Sequence, residues 1–438
     1  MFTALLLLFL LIASAPAILV SNGQLVDGSI LAASAVMTAI VALRMPQNEA
    51  DFLQKKVANS IAIGVGLPAL WILVQILPVA GVGLAHPIWN SAAEALRRPI
   101  AASISVDPGL TMIALTQVFC VGAVVFVAAA LSINRKRAEW ILFALAAATT
   151  IVALGVVVTK FWQIKLLAAL VDHTTTENAA IEISGLGVIL TTGAALQAVQ
   201  AGKTRGAAPA QPRGWNLFFF AASLAAAAIC LTALIVSAAA EAFFAVVGGL
   251  LLLIIAIAIR YFAIGRWGIS AIASVILLIV VAAVVDFQPE IKKAGLTLAF
   301  ASNVQPGLVA LTERVLSDSF WTGTGAGTFS AMLPLYQEIN EMALATVAPT
   351  AAAKIAVEMG EPFMWVVSIG AVFLAILLLR GALRRHRDPF FSMVGASCVV
   401  TITLMAFADA AVFSTPVLIV AAVATGMALA QRQSPLSR

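Results

Sequence analysis

Charge is scarce in this chain. Asp, Glu, Lys and Arg make up 10% of its 438 residues, against about 25% in a typical soluble domain. Hydrophobic residues make up 62% and the mean hydropathy is +1.06. No soluble fold hides that much apolar surface, so the solvent for most of the chain is lipid. Cysteine is scarce too. Cys120, Cys230 and Cys398 all fall inside apolar runs, with no disulfide framework and no metal-ligand spacing; they read as small packing residues. Runs of Lys and Arg interleaved with aromatics are missing, so the net charge of +5 reflects basic loops and not a nucleic-acid surface. No motif calls for a cofactor.

Backbone amides in lipid must be paired within the structure, which leaves helical bundles or closed barrels. The apolar runs here are about 20 residues long, rich in Leu, Ala and Ile, and do not alternate, which is the helical signature. The expected fold is therefore an all-α polytopic bundle of twelve spans: 3–20, 28–44, 58–80, 109–132, 139–159, 179–200, 215–237, 240–259, 268–285, 363–380, 390–409 and 413–431. The first span lacks a positive leader and reads as a retained anchor, despite the small residues Ala13 to Ala17. Residues 1–285 hold nine spans, 286–362 a long polar loop, and 363–438 three more spans and a tail, all in one membrane domain.

Orientation follows from Lys and Arg. With the N-terminus in the cytoplasm, 17 of the 25 basic residues fall on inner connections, including Lys55, Lys56, Arg135, Lys136, Arg137, Arg384, Arg385 and Arg387. Four of the other eight lie in the long loop, which the rule does not count; Arg97, Arg98, Lys160 and Lys165 remain outside. Both termini are then cytoplasmic and the loop 286–362 lies outside the cytoplasm.

Within that loop, Pro306 suits the first turn of a helix, with Leu308, Leu311, Val315 and Leu316 on one face. The tract Thr322-Gly323-Thr324-Gly325-Ala326-Gly327-Thr328-Phe329 follows as a turn. A second short helix is expected from Pro349 to Met359, stopped by Gly360. The glycines lack the Lys-Ser/Thr of a phosphate-binding P-loop. Gly323, Gly325 and Gly327 either let backbone amides approach an anionic or sugar ligand or simply shape a loop. Arg314, Lys354, Arg97 and Arg98 are outward cations suited to phosphate oxygens, or to anchoring on lipid headgroups. His173, beside Asp172 and near Glu177, is a candidate general base; the alternative is an exposed polar residue. Glu182, Glu241 and Asp409 sit at the outer ends of spans, and the span centres are nearly free of charge.

Three stretches carry a family resemblance. Ile104-Ser105-Val106-Asp107-Pro108-Gly109-Leu110-Thr111 leads into the fourth span; Arg314 to Tyr336 contains the glycine tract; Glu358-Met359-Gly360-Glu361-Pro362 enters the tenth. With twelve spans and a long loop between the ninth and tenth, the chain resembles the O-antigen ligase and O-antigen polymerase superfamily. The resemblance implies glycosyl transfer at the outer face of the inner membrane from a polyprenyl-pyrophosphate-linked glycan. In such enzymes arginines hold the pyrophosphate and a loop histidine acts on the acceptor. Here the loop 286–362 contains no histidine, and the turn Val236 to Glu241 lacks the family's arginine. His173 and Glu358 are the substitutes available for the base, and Arg314 for the phosphate clamp.

Two other functions fit the same features. One is a non-catalytic scaffold of a polysaccharide machine, working with other assembly proteins. The other is a transporter or flippase of twelve spans, although Met45 to Lys56 lacks the basic signature of such transporters.

Overall fold

The computed structural model describes residues 1–20, 24–78, 84–162, 174–204, 213–261, 297–298, 300–301, 306–319, 321–337, 347–384 and 389–433. Among them the fold is an all-α bundle. The helices are α1 (Phe2–Ala13), α2 (Ala15–Val20), α3 (Gln24–Arg44), α4 (Gln47–Lys56), α5 (Ala58–Ile76), α6 (Ile88–Leu96), α7 (Pro108–Leu131) and α8 (Arg135–Trp162). There follow α9 (Thr174–Thr204), α10 (Arg213–Val236), α11 (Ala240–Tyr261), α12 (Pro306–Asp318), α13 (Phe329–Tyr336), α14 (Ala351–Met359), α15 (Glu361–Arg384), α16 (Phe390–Ala406) and α17 (Thr415–Gln433).

Nine of the described helices are long and apolar enough to cross a membrane: α3, α5, α7, α8, α9, α10, α11, α15 and α17. Two shorter apolar helices, α1 and α16, match the first and eleventh expected spans. The first is not continuous: it breaks at Ser14, and Pro16 in the first turn of α2 cannot donate back into the preceding turn. The eleventh stops at Ala406 and leaves Asp409 in the connection to α17. The ninth, 268–285, lies outside the described residues.

The centre of the bundle is α9, which packs against α8, α10, α11 and α16. Its glycines permit that crowding. A Cβ on Gly187 would meet Cys230 Sγ at 2.8 Å and Thr149 Cβ at 3.0 Å, the close approach that small residues allow between helices in lipid. Leu10, Phe119, Trp140, Phe161 and Ile369 stay exposed, an apolar exterior suited to lipid. One bundle end is sealed by polar side chains. Arg135 pairs with Glu139 at 3.0 Å, Gln197 donates to the same carboxylate at 3.0 Å, and Gln431 donates to the Ser132 carbonyl. The other end gathers the end of α5, the starts of α7, α9, α11 and α15, and the α16–α17 connection. The described parts of the polar segment, residues 306–319, 321–337 and 347–360, dock there.

Candidate functional site

The docked segment begins with α12. Leu308, Leu311 and Val315 are buried against Phe329, Leu333 and Val357 of α13 and α14, the face expected from the helical spacing. Arg314 points away from that face and is exposed. Thr350 caps α14: its hydroxyl accepts from Ala353 N at 3.0 Å and donates to the Thr297 carbonyl at 2.7 Å. Gly360 ends α14 at φ +91°, a conformation that side chains resist.

Between α12 and α14 the glycine tract folds into a buried knot. Gly323, Gly325 and Gly327 have φ of +78°, +109° and +81°. The space where their side chains would stand is already filled. A Cβ on Gly323 would lie 2.6 Å from Gly360 N, one on Gly325 2.7 Å from Ser105 Cβ, and one on Gly327 3.1 Å from the Leu110 carbonyl oxygen. The amides are engaged within the chain. Thr324 N donates to the Val357 carbonyl at 3.0 Å, Gly325 N to the Glu358 carbonyl at 2.9 Å, and Phe329 N to Glu358 Oε1 at 3.1 Å. The Thr324 and Thr328 hydroxyls bond each other at 2.9 Å.

The knot is bolted to two membrane helices. Gln75, in the last turn of α5, is fully buried. Its Nε2 donates to the Thr322 carbonyl at 3.0 Å and the Glu358 carbonyl at 2.9 Å, and its Oε1 accepts from Ala326 N at 3.1 Å. One turn earlier, Trp71 donates to the Met359 carbonyl at 2.9 Å and stacks on Phe363 with centroids 6.0 Å apart. On the other side, Val106 N donates to the Thr324 carbonyl at 2.8 Å. Ser105 shares a 2.7 Å bond with Thr111, and Asp107 caps α7 through the amides of Gly109 and Leu110. The Ile104 to Thr111 and Glu358 to Pro362 stretches singled out in the sequence therefore both pack on the glycine tract.

Glu358 is buried at 6% exposure. Burial pushes its carboxyl above the ordinary value, against the pull of Lys354 and of the Gly327 and Phe329 amides. Lys354, one turn earlier on α14, is half-buried, with its ammonium 5.4 Å from the centre of the Phe413 ring. Arg97 and Arg98 are exposed where α6 ends, Arg97 in the left-handed conformation at φ 49°. His173 lies outside the described residues. His86 accepts from Ile88 N at 3.3 Å at the start of α6, and burial lowers its pKa.

The structure thus brings Glu358, Lys354 and the three glycines together, with Arg314 on a helix packed against α14. Arg97 and Arg98 follow the end of a separate helix, α6, at the same end. Sequence reasoning missed Gln75 and Trp71. A lone glutamine near the end of an apolar span was the available signal for the first. The chain matches no protein-family model and no curated protein.

Proposed function

We propose that this membrane protein serves surface-polysaccharide assembly, acting in the manner of an O-antigen ligase or polymerase on a polyprenyl-pyrophosphate-linked glycan at the periplasmic face of a bacterial inner membrane. The observation that carries the proposal is the docking of residues 306–319, 321–337 and 347–360 as a cap on one end of the bundle, with Arg314 exposed on α12 and Lys354 half-buried on α14. A pyrophosphate leaves more readily when fixed cations neutralise its developing charge, and a rigid cap holds such cations at headgroup depth. Arg314 supplies a planar guanidinium for the phosphate oxygens. Glu358, Gly325 and Gly327 position the cap through polar groups engaged inside it, and Gly323 positions it through a close approach that leaves no room for a side chain. Arg97 and Arg98 supply further positive charge, and His173 is the base assigned to the acceptor. Both termini are cytoplasmic in this arrangement, and no cofactor or metal takes part in the transfer.

The internal pairing of the glycine-tract amides favours a second function, a scaffold that holds other polysaccharide-assembly proteins and performs no transfer itself. The test is Arg314→Ala in cells. An altered glycan chain length or attachment with the protein still inserted supports the clamp, and an unchanged glycan profile removes it.

A further inference from the structure

A cavity of about 80 Å³ opens beside the cap, lined by Asn178 and Glu182 of α9, Ala239 and Glu241 at the start of α11, and Met405 and Asp409 around the end of α16. Three carboxylates from three separate parts of the chain therefore face one small space. Asp409 is held by protein donors: Asn178 Nδ2 at 2.6 Å and Ala411 N at 2.7 Å, the partners that favour a charged carboxylate. Glu182 is different. It lies two turns inside α9, is 3% exposed, and among the described residues neither carboxylate oxygen accepts a hydrogen bond. A buried carboxylate without a partner is costly, and beside Asp409 it is more so. Such a group is relieved either by a proton or by a bound cation.

The geometry points to a binding site for one small, hard inorganic cation, liganded by Glu182 and Asp409 with Glu241 completing the negative field. A proton alone needs no room, whereas the cavity well exceeds the roughly 10–15 Å³ that one water requires. Carboxylate oxygen is the ligand class of Na⁺ and Ca²⁺. Among the described residues no three His, Cys, Asp or Glu side chains close on one point as a metal site, so two carboxylates and cavity water form the shell. The site has a structural consequence. The Asp409 carbonyl accepts from Ala351 N at 3.1 Å, at the first residue of α14, so an occupied cavity would stiffen the base of the cap. None of this depends on glycan chemistry.

The full-length protein in nanodiscs of zwitterionic lipid provides the test. Thermal unfolding and calorimetric titration are run in NaCl, CaCl2 and choline chloride at matched ionic strength. Na⁺ or Ca²⁺ should raise the Tm with concentration while choline does not, the responding ion identifying the cation. Glu182→Gln should weaken that ion's affinity at least tenfold while folding as well in choline as the parent, since it removes the buried charge and keeps the volume. Asp409→Asn should also weaken it. A parent protein that ignores both ions overturns the proposal, most directly if its stability in choline instead changes with pH through Glu182. An equal cation response in the parent and in Glu182→Gln overturns it as well.

Discussion

Gln75 and Glu358 are 283 positions apart in the chain, yet the Gln75 amide donates to the Glu358 carbonyl at 2.9 Å. That one fully buried glutamine joins the end of α5 to both flanks of the glycine tract. Gln75→Leu keeps the bulk but strands the Ala326 amide and the Thr322 carbonyl, while the Glu358 carbonyl keeps its bond from Gly325 N. Each buried group left unpaired costs about 1–3 kcal/mol, so roughly 2–6 kcal/mol of stability should be lost in total. Thermal unfolding in detergent, with protease sensitivity near Thr322, would read this. A melting temperature like the parent's would show that the cap does not depend on the bolt.

Gly323→Ala forces a side chain into a left-handed backbone and toward Gly360 N, 2.6 Å from the new Cβ. The left-handed conformation alone costs about 1–2 kcal/mol, and the clash adds to it. The cap should loosen while the distant bundle end, with Glu139 and Gln197, keeps its protection in amide exchange. Equal loss at both ends would contradict a cap that is separable from the bundle.

The Glu358 carboxyl stands above its ordinary value of 4.5 because it is buried. Between 4.5 and that raised value, the folded protein holds a proton that the unfolded chain has released. The contribution of Glu358 is therefore fully present below pH 4.5 and is lost as pH rises through the folded-state value. Asp409, raised from 3.8 by burial, acts with the same sign. Glu358→Gln should flatten part of this decline, measured as denaturant midpoints across pH 4 to 8. A parent protein whose stability climbs through this window, and climbs equally in the variant, would rule out the effect.

Much of the fold was legible in the composition, because runs of apolar residues near membrane length have few alternatives to a helix. The buried face of α12, the Gly360 stop and the turn at Thr322 to Thr328 also followed from local pattern. What could not be read locally was which distant segments meet. Gln75 sits among Leu, Ile and Val with no neighbour that hints at Glu358. Glu182, Glu241 and Asp409 read as span-end charges until the order of helices around α9 brings them to one cavity. The break at Ser14 depended on a single proline within an otherwise continuous apolar run.

Sidedness sets where the cap works. All described segments that touch it, from Trp71 and Ser105 to Asp409, lie at one bundle end. In the proposed orientation, which rests on the excess of Lys and Arg on the inner connections, that end faces the periplasm. An alkaline phosphatase fusion near Trp321, which is exposed, should therefore be active, and a fusion in the 205–212 connection inactive. The reverse pattern would put the cap in the cytoplasm and end the glycan proposal.

The most direct measurement is made with purified protein in proteoliposomes supplied with a polyprenyl-pyrophosphate-linked glycan. The parent should release polyprenyl pyrophosphate and yield an elongated or transferred glycan. Arg314→Ala, folded to the same melting temperature, should do so at least tenfold more slowly. A parent protein that leaves the donor intact, or an Arg314→Ala variant that consumes it at the parent's rate, would contradict the assignment of this cap to glycosyl transfer.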